Sequence, residues 1–260
     1  MNKIALWLST AFWLTMMALL FKVDVLPQYV IEDEPGYETV IRGIEAPILR
    51  SMAVLHEGRE VGTSDTVITP EPDGTWSIAN VTSIKVKVLG LVESRVTAVL
   101  NISLDQNKQL NELFLDVDLG SNQRAELEGT REGDKLSLAF RMGEMVLNET
   151  IPYDDAIISS YFNPFPLGAR LKVGQSWRTK FLDPISQKAQ AVEVKVVGRE
   201  PIEIAVRSGE PPVSFNAYKV VTNWNGMELA AWATEEGVVL KEETPLGYTL
   251  VYREAGDDQP

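Results

Sequence analysis

The chain has 260 residues, of which 45% are hydrophobic and 23% are charged, and its formal net charge is −13 at pH 7. This size and composition allow a substantial core and exclude disorder as the main state, while the acidic balance argues against a nucleic-acid partner, because such proteins carry basic stripes. With no cysteine and one histidine, the sequence excludes disulfides, thiol catalysis, an amino-terminal lipid on cysteine, and Cys-rich or His-rich metal sites.

The first predicted element is a membrane span over Ile4 to Phe21, IALWLSTAFWLTMMALLF. These roughly 18 uncharged residues would form a helix of roughly 27 Å, close to the hydrocarbon thickness of a bilayer. Bulky or charged residues follow at 22–27, where a signal peptidase needs small ones, which favours an uncleaved anchor over a cleaved leader, the alternative. Lys3 before the span favours an inside amino terminus. We therefore expect residues 1–22 to anchor a single-pass protein in the inner (cytoplasmic) membrane, with its C-terminal domain outside the cytoplasm.

The next segment, residues 23–50, mixes prolines with charges and reads as a linker. From Ser51 to Thr150, apolar residues alternate with polar ones at period two and turn signals separate the runs, which predicts an antiparallel meander with one buried face. The alternating pattern ends at IPYDDAIISSYFNPFPLGARL. There, Asp154 or Asp155 would cap a short central helix that continues to Phe162 and ends before Pro164.

The second half returns to strands, with hairpin signals such as Asn225-Gly226 between them. The predicted strands are Ser176 to Leu182, Ala189 to Gly198, Phe215 to Asn223, Met227 to Thr234, Val238 to Glu243 and Tyr248 to Arg253. The prediction is one β domain over 51–254 and a disordered tail over 255–260.

Three segments carry a resemblance to a known family: GMELAAWATEEGVVLKEETPLGYTLVYRE at the C-terminal meander, LKVGQSWRTKFLDPIS, and VEVKVVGREPIE. They resemble a bacterial envelope β domain of unknown function that also occurs ahead of transglutaminase-like peptidase domains. The resemblance implies a curved antiparallel sheet around a helix, similar to the lipoprotein-carrier half-barrels. The expected fold is therefore mainly β, a half-barrel-like meander sheet with one short central helix, preceded by a single transmembrane helix.

Catalytic chemistry has little support in the residues. A transglutaminase-like triad is missing, because the chain has no cysteine and its single histidine, His56, sits beside a predicted turn. The acid pairs Asp154-Asp155 and Asp116/Asp118 suit a helix cap and a wet strand face, and two carboxylates fall short of the about six to eight oxygens that calcium takes. We expect no catalytic residue, no metal and no cofactor. A hydrolase of envelope polymers working through paired carboxylates remains the enzymatic alternative.

Four tryptophans on predicted strands, Trp76, Trp177, Trp224 and Trp232, are the candidate ligand-binding residues. They either pack in the core or line the concave face of a half-barrel that accepts an apolar ligand. Trp232 alternates out of phase with Leu229 and its neighbouring alanines, so one of these sets must face away from the main core. The sequence thus predicts a membrane-anchored, non-catalytic domain that binds an apolar ligand or an envelope partner. The remaining alternative is a structural accessory subunit of a separately encoded peptidase.

Overall fold

The computed structural model of the chain describes residues 31–32, 37–41, 43–88, 92–120, 123–153, 170–182, 189–207, 210–224, 226–244 and 247–254. Within these ranges it contains one short helix, α1 (Tyr37–Val40), and fifteen strands. The strands of the first half are β1 (Ile31–Glu32), β2 (Ile48–His56), β3 (Arg59–Pro70), β4 (Trp76–Val88), β5 (Val92–Leu104), β6 (Leu110–Gly120), β7 (Gln123–Glu132), β8 (Lys135–Met142) and β9 (Met145–Pro152). Those of the second half are β10 (Ser176–Leu182), β11 (Ala189–Ile204), β12 (Val213–Trp224), β13 (Met227–Ala233), β14 (Val239–Glu243) and β15 (Tyr248–Arg253).

All fifteen strands join one sheet, in the order β1-β10-β11-β12-β13-β14-β15-β2-β3-β4-β5-β6-β7-β8-β9. From β2 to β9, and from β10 to β15, each strand pairs antiparallel with the next one in the chain, so each half is a meander. The two-residue β1 pairs parallel with β10. Pairing of β15 with β2 joins the two meanders into a single sheet. The prediction of a mainly antiparallel β fold is confirmed.

Two tight turns show how local sequence fixes the hairpins. Glu57 and Gly58 connect β2 to β3 with φ values of 50° and 73°, the pair of positive values that a type I′ turn requires. Between β12 and β13, Gly226 has a φ of 81° and donates its N–H to Asn223 Oδ1 at 3.1 Å. Because a primed turn follows the right-handed twist of its flanking strands, the Glu57-Gly58 turn sets the register of β2 and β3.

The first meander buries one face, which we call the concave face, and exposes the other, the convex face. The deepest concave side chains are Leu104 and Leu110, both 0% exposed, and Tyr37 and Ile41 pack onto the same cluster from the α1 region. The other buried members are Ile68, Ile78, Leu100, Ile102, Leu113 and Leu136. A single sheet that buries so many side chains on one face does so by curving around them, which gives the half-barrel shape.

The second meander differs because both of its faces are buried. Its concave cluster contains Leu171, Trp177, Val194, Val196, Tyr218, Val220, Leu229, Ala231 and Ala233. Its convex cluster contains Ile204, Ala217, Ala230, Trp232 and Leu240. Strand β13 contributes to both clusters, with every residue from Leu229 to Ala233 buried. In the sequence, Trp232 alternates out of phase with Leu229 and the alanines. The structure accommodates both sets, because each of them packs into a buried cluster on its own face of the sheet.

The cover on the convex side comes from the far half of the β11–β12 hairpin. We call residues 198–207 and 210–217 the hairpin arm. A β-bulge between Val196 and Gly198 bends β11 where the arm begins. The backbone oxygen of Val206, at the far end of the arm, accepts a hydrogen bond from the N–H of Glu254 at 3.0 Å, and Arg207 forms an ion pair with Glu254 at 2.9 Å. The arm therefore folds over β13–β15 and is fastened at its tip beside β15.

The predicted central helix is corrected by the structure. The described part of the chain has only one helical element, the four-residue α1, and it precedes both meanders instead of lying between them. The segment predicted as helix, Asp154 to Phe162, lies outside the described residues. Within the described ranges, no helix has the length and apolar character needed to cross a membrane. The predicted span, Ile4 to Phe21, also lies outside them.

Candidate functional site

The four candidate tryptophans do not converge on one site. Trp76 packs at the edge of the concave cluster of the first meander, Trp177 lies in the concave cluster of the second, and Trp232 lies in the convex cluster under the hairpin arm. Trp224 ends β12, and its side chain lies outside the described residues. A role of these residues in ligand binding stays a prediction, and the geometry divides them among three separate clusters.

Trp232 is held by specific polar contacts. Its indole Nε1–H donates to Glu200 Oε1 of the hairpin arm at 2.5 Å. The ammonium groups of Lys241 and Lys219 lie 4.3 Å and 5.5 Å from its ring, within the range of cation–π attraction. Only 7% of the residue is exposed. These contacts explain Trp232 as the residue that fastens the arm to the sheet.

Trp177 is 2% exposed, and among the described residues no acceptor receives a hydrogen bond from its Nε1–H. Buried donors are nearly always paired in proteins, so this indole is an unusual feature of the concave cluster. Its position on β10 is opposite Val194 of β11, deep among apolar neighbours.

The concave face of the first meander carries a polar bank that interrupts the apolar pattern. By register, Arg50 of β2 is the neighbour of Thr66 of β3, which is the neighbour of Asn80 of β4. The next row along the strands places Ser64 beside Thr82. All of these residues share the face of Ile68 and Ile78, whose side chains are buried. We define the polar bank as Arg50, Ser64, Thr66, Asn80 and Thr82.

Four of these side chains form one hydrogen-bonded network. Asn80 Nδ2 donates to Thr66 Oγ1 at 2.8 Å and to Ser64 Oγ at 3.0 Å, and Thr82 Oγ1 donates to Asn80 Oδ1 at 3.0 Å. Ser64 Oγ and Thr82 Oγ1 lie 2.8 Å apart, with Ser64 donating because the proton of Thr82 is already used. Thr66 therefore accepts a bond, and no described residue accepts its own hydroxyl proton. The network fixes the orientation of Thr66 next to Arg50.

Arg50 is half-buried, and in the described part of the chain no carboxylate lies within ion-pair distance of its guanidinium. Burial lowers the pKa of Arg50, and the nearby phenol of Tyr252 opposes that shift. Arginine nevertheless stays protonated at physiological pH. The concave face therefore carries one positive charge that the described residues leave unbalanced.

Beyond the polar bank, from β5 to β9, the same face is apolar and becomes less buried. The row that contains Arg50 continues across β5–β9 through Leu100, Leu115, Leu127, Phe140 and Leu147. Burial falls along this row, from 6% exposure at Leu100 to 51% at Leu147. We call these five residues the apolar bank. Among the described residues, the concave face is thus filled at the end that contains Leu104 and becomes more exposed along the apolar bank toward Leu147.

A buried acid lies on the concave side of the second meander. A bulge opposite Trp232 and Ala233 puts Leu240 and Lys241 on the convex face and turns Glu242 inward, beside Ala231 and Leu250. Within the described ranges, neither a hydrogen bond nor an ion pair reaches its carboxyl group. Desolvation raises the pKa of Glu242 to about 7.

The predicted acid pairs offer no catalytic arrangement where they can be seen. Asp116 receives two hydrogen bonds from Arg124, at 2.6 Å and 2.5 Å, which hold the pKa of Asp116 below its usual range. Asp118 Oδ1 accepts the N–H of Gly120 at 2.8 Å. Both acids lie on the convex face, as expected from their alternation, while Asp154 and Asp155 lie outside the described residues.

The His56 side chain is exposed at the end of β2, with its ring centroid 5.0 Å from that of Tyr248. In the portion of the chain that the structure describes, no three acidic or histidine side chains are grouped in a way that could hold a metal ion.

Sequence reasoning missed Arg50, the polar bank and Glu242. Arg50 falls immediately before the first predicted strand, in the segment whose composition predicts a linker. The signal for the bank was present: Asn80 and Thr82 share the period-two phase of Ile78 and Ile84, so polar side chains stand at core-phase positions. Glu242 had no such signal, because its inward direction depends on the bulge in β14.

Comparison with known proteins agrees with this architecture. Residues 52–254 match the family described as a domain of unknown function, DUF6134, and because the match covers most of the chain, the chain belongs to this family. A crystal structure of a β-barrel-like protein of the domain of unknown function DUF1849 from Brucella abortus is similar to 80% of this chain and 95% of its own, with a TM-score of 0.52 and 9% identity. That likeness concerns the fold alone. No curated protein matches the sequence.

Proposed function

We propose that this DUF6134 domain is a non-catalytic binding module that holds an apolar ligand against the apolar bank of its concave face. The observation that carries the proposal is the incomplete burial of core-phase side chains from Leu115 to Leu147, on the face that elsewhere forms the core. Curved sheets commonly bind ligands in their concave mouths, where apolar walls bury the ligand and a few polar groups orient it. Anchoring through residues 1–22, with the domain outside the cytoplasm, is part of the proposal and would place this face near lipids.

The test uses the absence of cysteine, since any introduced cysteine is the only thiol in the chain. Ala125 of β7 is half-buried on the concave face, and Ala139 of β8 is half-buried on the convex face. Ala125→Cys and Ala139→Cys are each labelled with a polarity-sensitive fluorophore in the full-length chain, and uncharged hexadecanol is added. We expect a saturable blue shift at position 125 only. Absence of saturation at 125, or equal responses at both positions, would refute the proposal.

Steric blocking gives an independent check with the same pair of positions. Ala125→Trp fills the concave face, while Ala139→Trp adds the same bulk on the convex face. We expect retention of hexadecanol, measured by mass spectrometry after gel filtration, to fall at least about tenfold for Ala125→Trp and to stay unchanged for Ala139→Trp. Equal retention by the two variants would contradict binding on the concave face.

A second function, binding of an envelope protein, is favoured by one observation at the sheet edge. Strand β9 pairs only with β8 among the described strands and exposes Met145, Val146 and Leu147, at 46%, 54% and 51%. An exposed apolar edge strand is a template for strand addition by a partner. Cross-linking from Val146→Cys in native membranes, compared with the exposed Val81→Cys of β4, tests it. A defined cross-linked polypeptide from position 146 alone supports this function, and identical products from both positions eliminate it.

A further inference from the structure

The polar bank differs from an ordinary polar surface because the charge of Arg50 has no counter-charge among the described residues. Half-burying a guanidinium removes hydration that an ion pair would normally replace. The described residues form eleven ion pairs between carboxylates and cationic side chains, and none of these pairs includes Arg50. A site that keeps an arginine in this condition is complementary to an anion.

The neighbours of Arg50 strengthen this reading. Thr66 is adjacent to Arg50 across the strands, and its hydroxyl oxygen already accepts from Asn80 at 2.8 Å, so its proton is available to a further acceptor. Tyr252 pairs with Met52 and is therefore the diagonal neighbour of Arg50, within reach of long side chains. A carboxylate or phosphate oxygen is the type of acceptor that a guanidinium fork and a hydroxyl bind together.

The apolar bank begins at Leu100, the neighbour of Asn80, two strands from Thr66 and three from Arg50, and it runs away from them. From Leu100 on β5 to Leu147 on β9 the row crosses four strand intervals, which at about 4.8 Å each span roughly 19 Å along the sheet. A long acyl chain has about this length, so one that starts at Thr66 crosses four strand intervals to reach Leu127 and lies on the nearer part of the bank. The face therefore combines one cationic end with one extended apolar surface. These two parts are complementary to the anionic head group and the apolar chain of an amphiphile.

We propose that the ligand of the concave face is an anionic amphiphile, with its carboxylate or phosphate head group on Arg50 and Thr66 and its acyl chain on the apolar bank. This inference rests on the proposed function and names the class of ligand. The net charge of −13 opposes small free anions, so binding requires the apolar contact as well as the head group.

The experiment compares ligands that differ only in the head group. The full-length chain labelled at Ala125→Cys is titrated with palmitate, hexadecyl phosphate and uncharged hexadecanol, and inorganic phosphate and acetate serve as free anions. Each titration is repeated with Arg50→Gln, Arg50→Lys and, as a matched loss of one positive charge on the convex face, Arg95→Gln. Circular dichroism checks that every variant is folded.

We expect the two anionic amphiphiles to bind about tenfold more tightly than hexadecanol. Arg50→Gln removes this preference and leaves hexadecanol unchanged, Arg50→Lys keeps part of it, and Arg95→Gln keeps all of it. Equal affinities for palmitate and hexadecanol, or an unchanged preference in Arg50→Gln, overturn the inference while the proposed function stands. If no amphiphile binds, the proposed function fails as well. If inorganic phosphate or acetate displaces palmitate at equal concentration, the site holds a small anion and the amphiphile is overturned.

Discussion

Removing the buried charge of Glu242 should stabilise the protein above neutral pH. The side chain is 7% exposed and faces Ala231 and Leu250, and its neighbours Lys241 and Glu243 lie on the other face of β14. Its carboxyl group has an ordinary pKa of 4.5 in an unfolded chain and about 7 in the fold, because desolvation disfavours the charged form. Between pH 4.5 and about pH 7, the folded state therefore keeps this proton while the unfolded state has lost it.

The sign and size of the effect follow from proton linkage. Below pH 4.5 Glu242 is mostly protonated in both states, so its ionisation does not affect stability. As pH rises toward 7 the unfolded state loses the proton first, and stability falls. Each tenfold change in proton affinity is worth about 1.4 kcal/mol, so the loss amounts to about 3 kcal/mol above pH 7. Glu242→Gln, which is uncharged at every pH, should match the wild type near pH 4 and exceed its stability by about 3 kcal/mol at pH 8.

Urea and thermal unfolding between pH 4 and pH 8 measure this difference. For a domain of this size the gain corresponds to roughly 6–12 °C in Tm at pH 8. Glu243→Gln is the control, because Glu243 is the next residue and contacts Lys241, at 3.5 Å, on the partly exposed convex side. Parallel stability curves for wild type and Glu242→Gln across the whole range would show that the carboxyl group is not desolvated, and would refute the reasoning.

Three further predictions test the packing of the sheet. Gly62→Ala places a Cβ atom 1.9 Å from the backbone oxygen of Ser83, so we expect a loss of at least the roughly 1–3 kcal/mol typical of overpacking, whereas Gly198→Ala meets no atom within 4 Å and should change urea stability by under about 1 kcal/mol. Equal losses would contradict the assigned close approach. Trp232→Phe removes the hydrogen bond to Glu200 and should cost about 1.5–3 kcal/mol in urea unfolding without changing hexadecanol affinity; lost affinity at full stability would make this tryptophan a ligand residue instead. Val146→Lys places a charge on the exposed edge and should leave thermal stability within about 0.5 kcal/mol while abolishing any cross-link to a partner strand, and a large drop in Tm would show that β9 is covered.

The strands were predictable because alternation and turn chemistry act locally. The pattern from Leu113 to Leu119, with Asp116 and Asp118 in the opposite phase, correctly gives one buried and one wet face, and Glu57-Gly58 forms a turn of the kind that separates the predicted strands. Alternation and turn residues depend only on near neighbours in the chain, so they can be recognised in a single sequence.

The parts that the sequence did not predict depend on distant contacts. The pairing of β15 with β2 joins opposite ends of the domain, and the hairpin arm covers β13–β15 only because β11 bends at its bulge. In β14, the apolar run Val238 to Leu240 fits either phase, so the bulge that turns Glu242 inward leaves no mark in the pattern. Arg50 was missed for a similar reason, since β2 begins at Ile48 and the composition of residues 23–50 suggested a linker.

The difference in packing between the two meanders explains why we expect the binding surface to lie away from most of the tryptophans. Strands β11–β14 are packed on both faces, so a ligand there would have to displace the core that Trp177 and Trp232 help to build. Among the described residues, the first meander is packed only at the end of its concave face that contains Leu104, and its apolar bank remains partly exposed. Substitution of Trp177 or Trp232 should therefore act on binding only through stability, whereas Arg50 should act on ligand preference without changing the fold. Stability and ligand preference therefore distinguish the residues that build the fold from the residues of the proposed site.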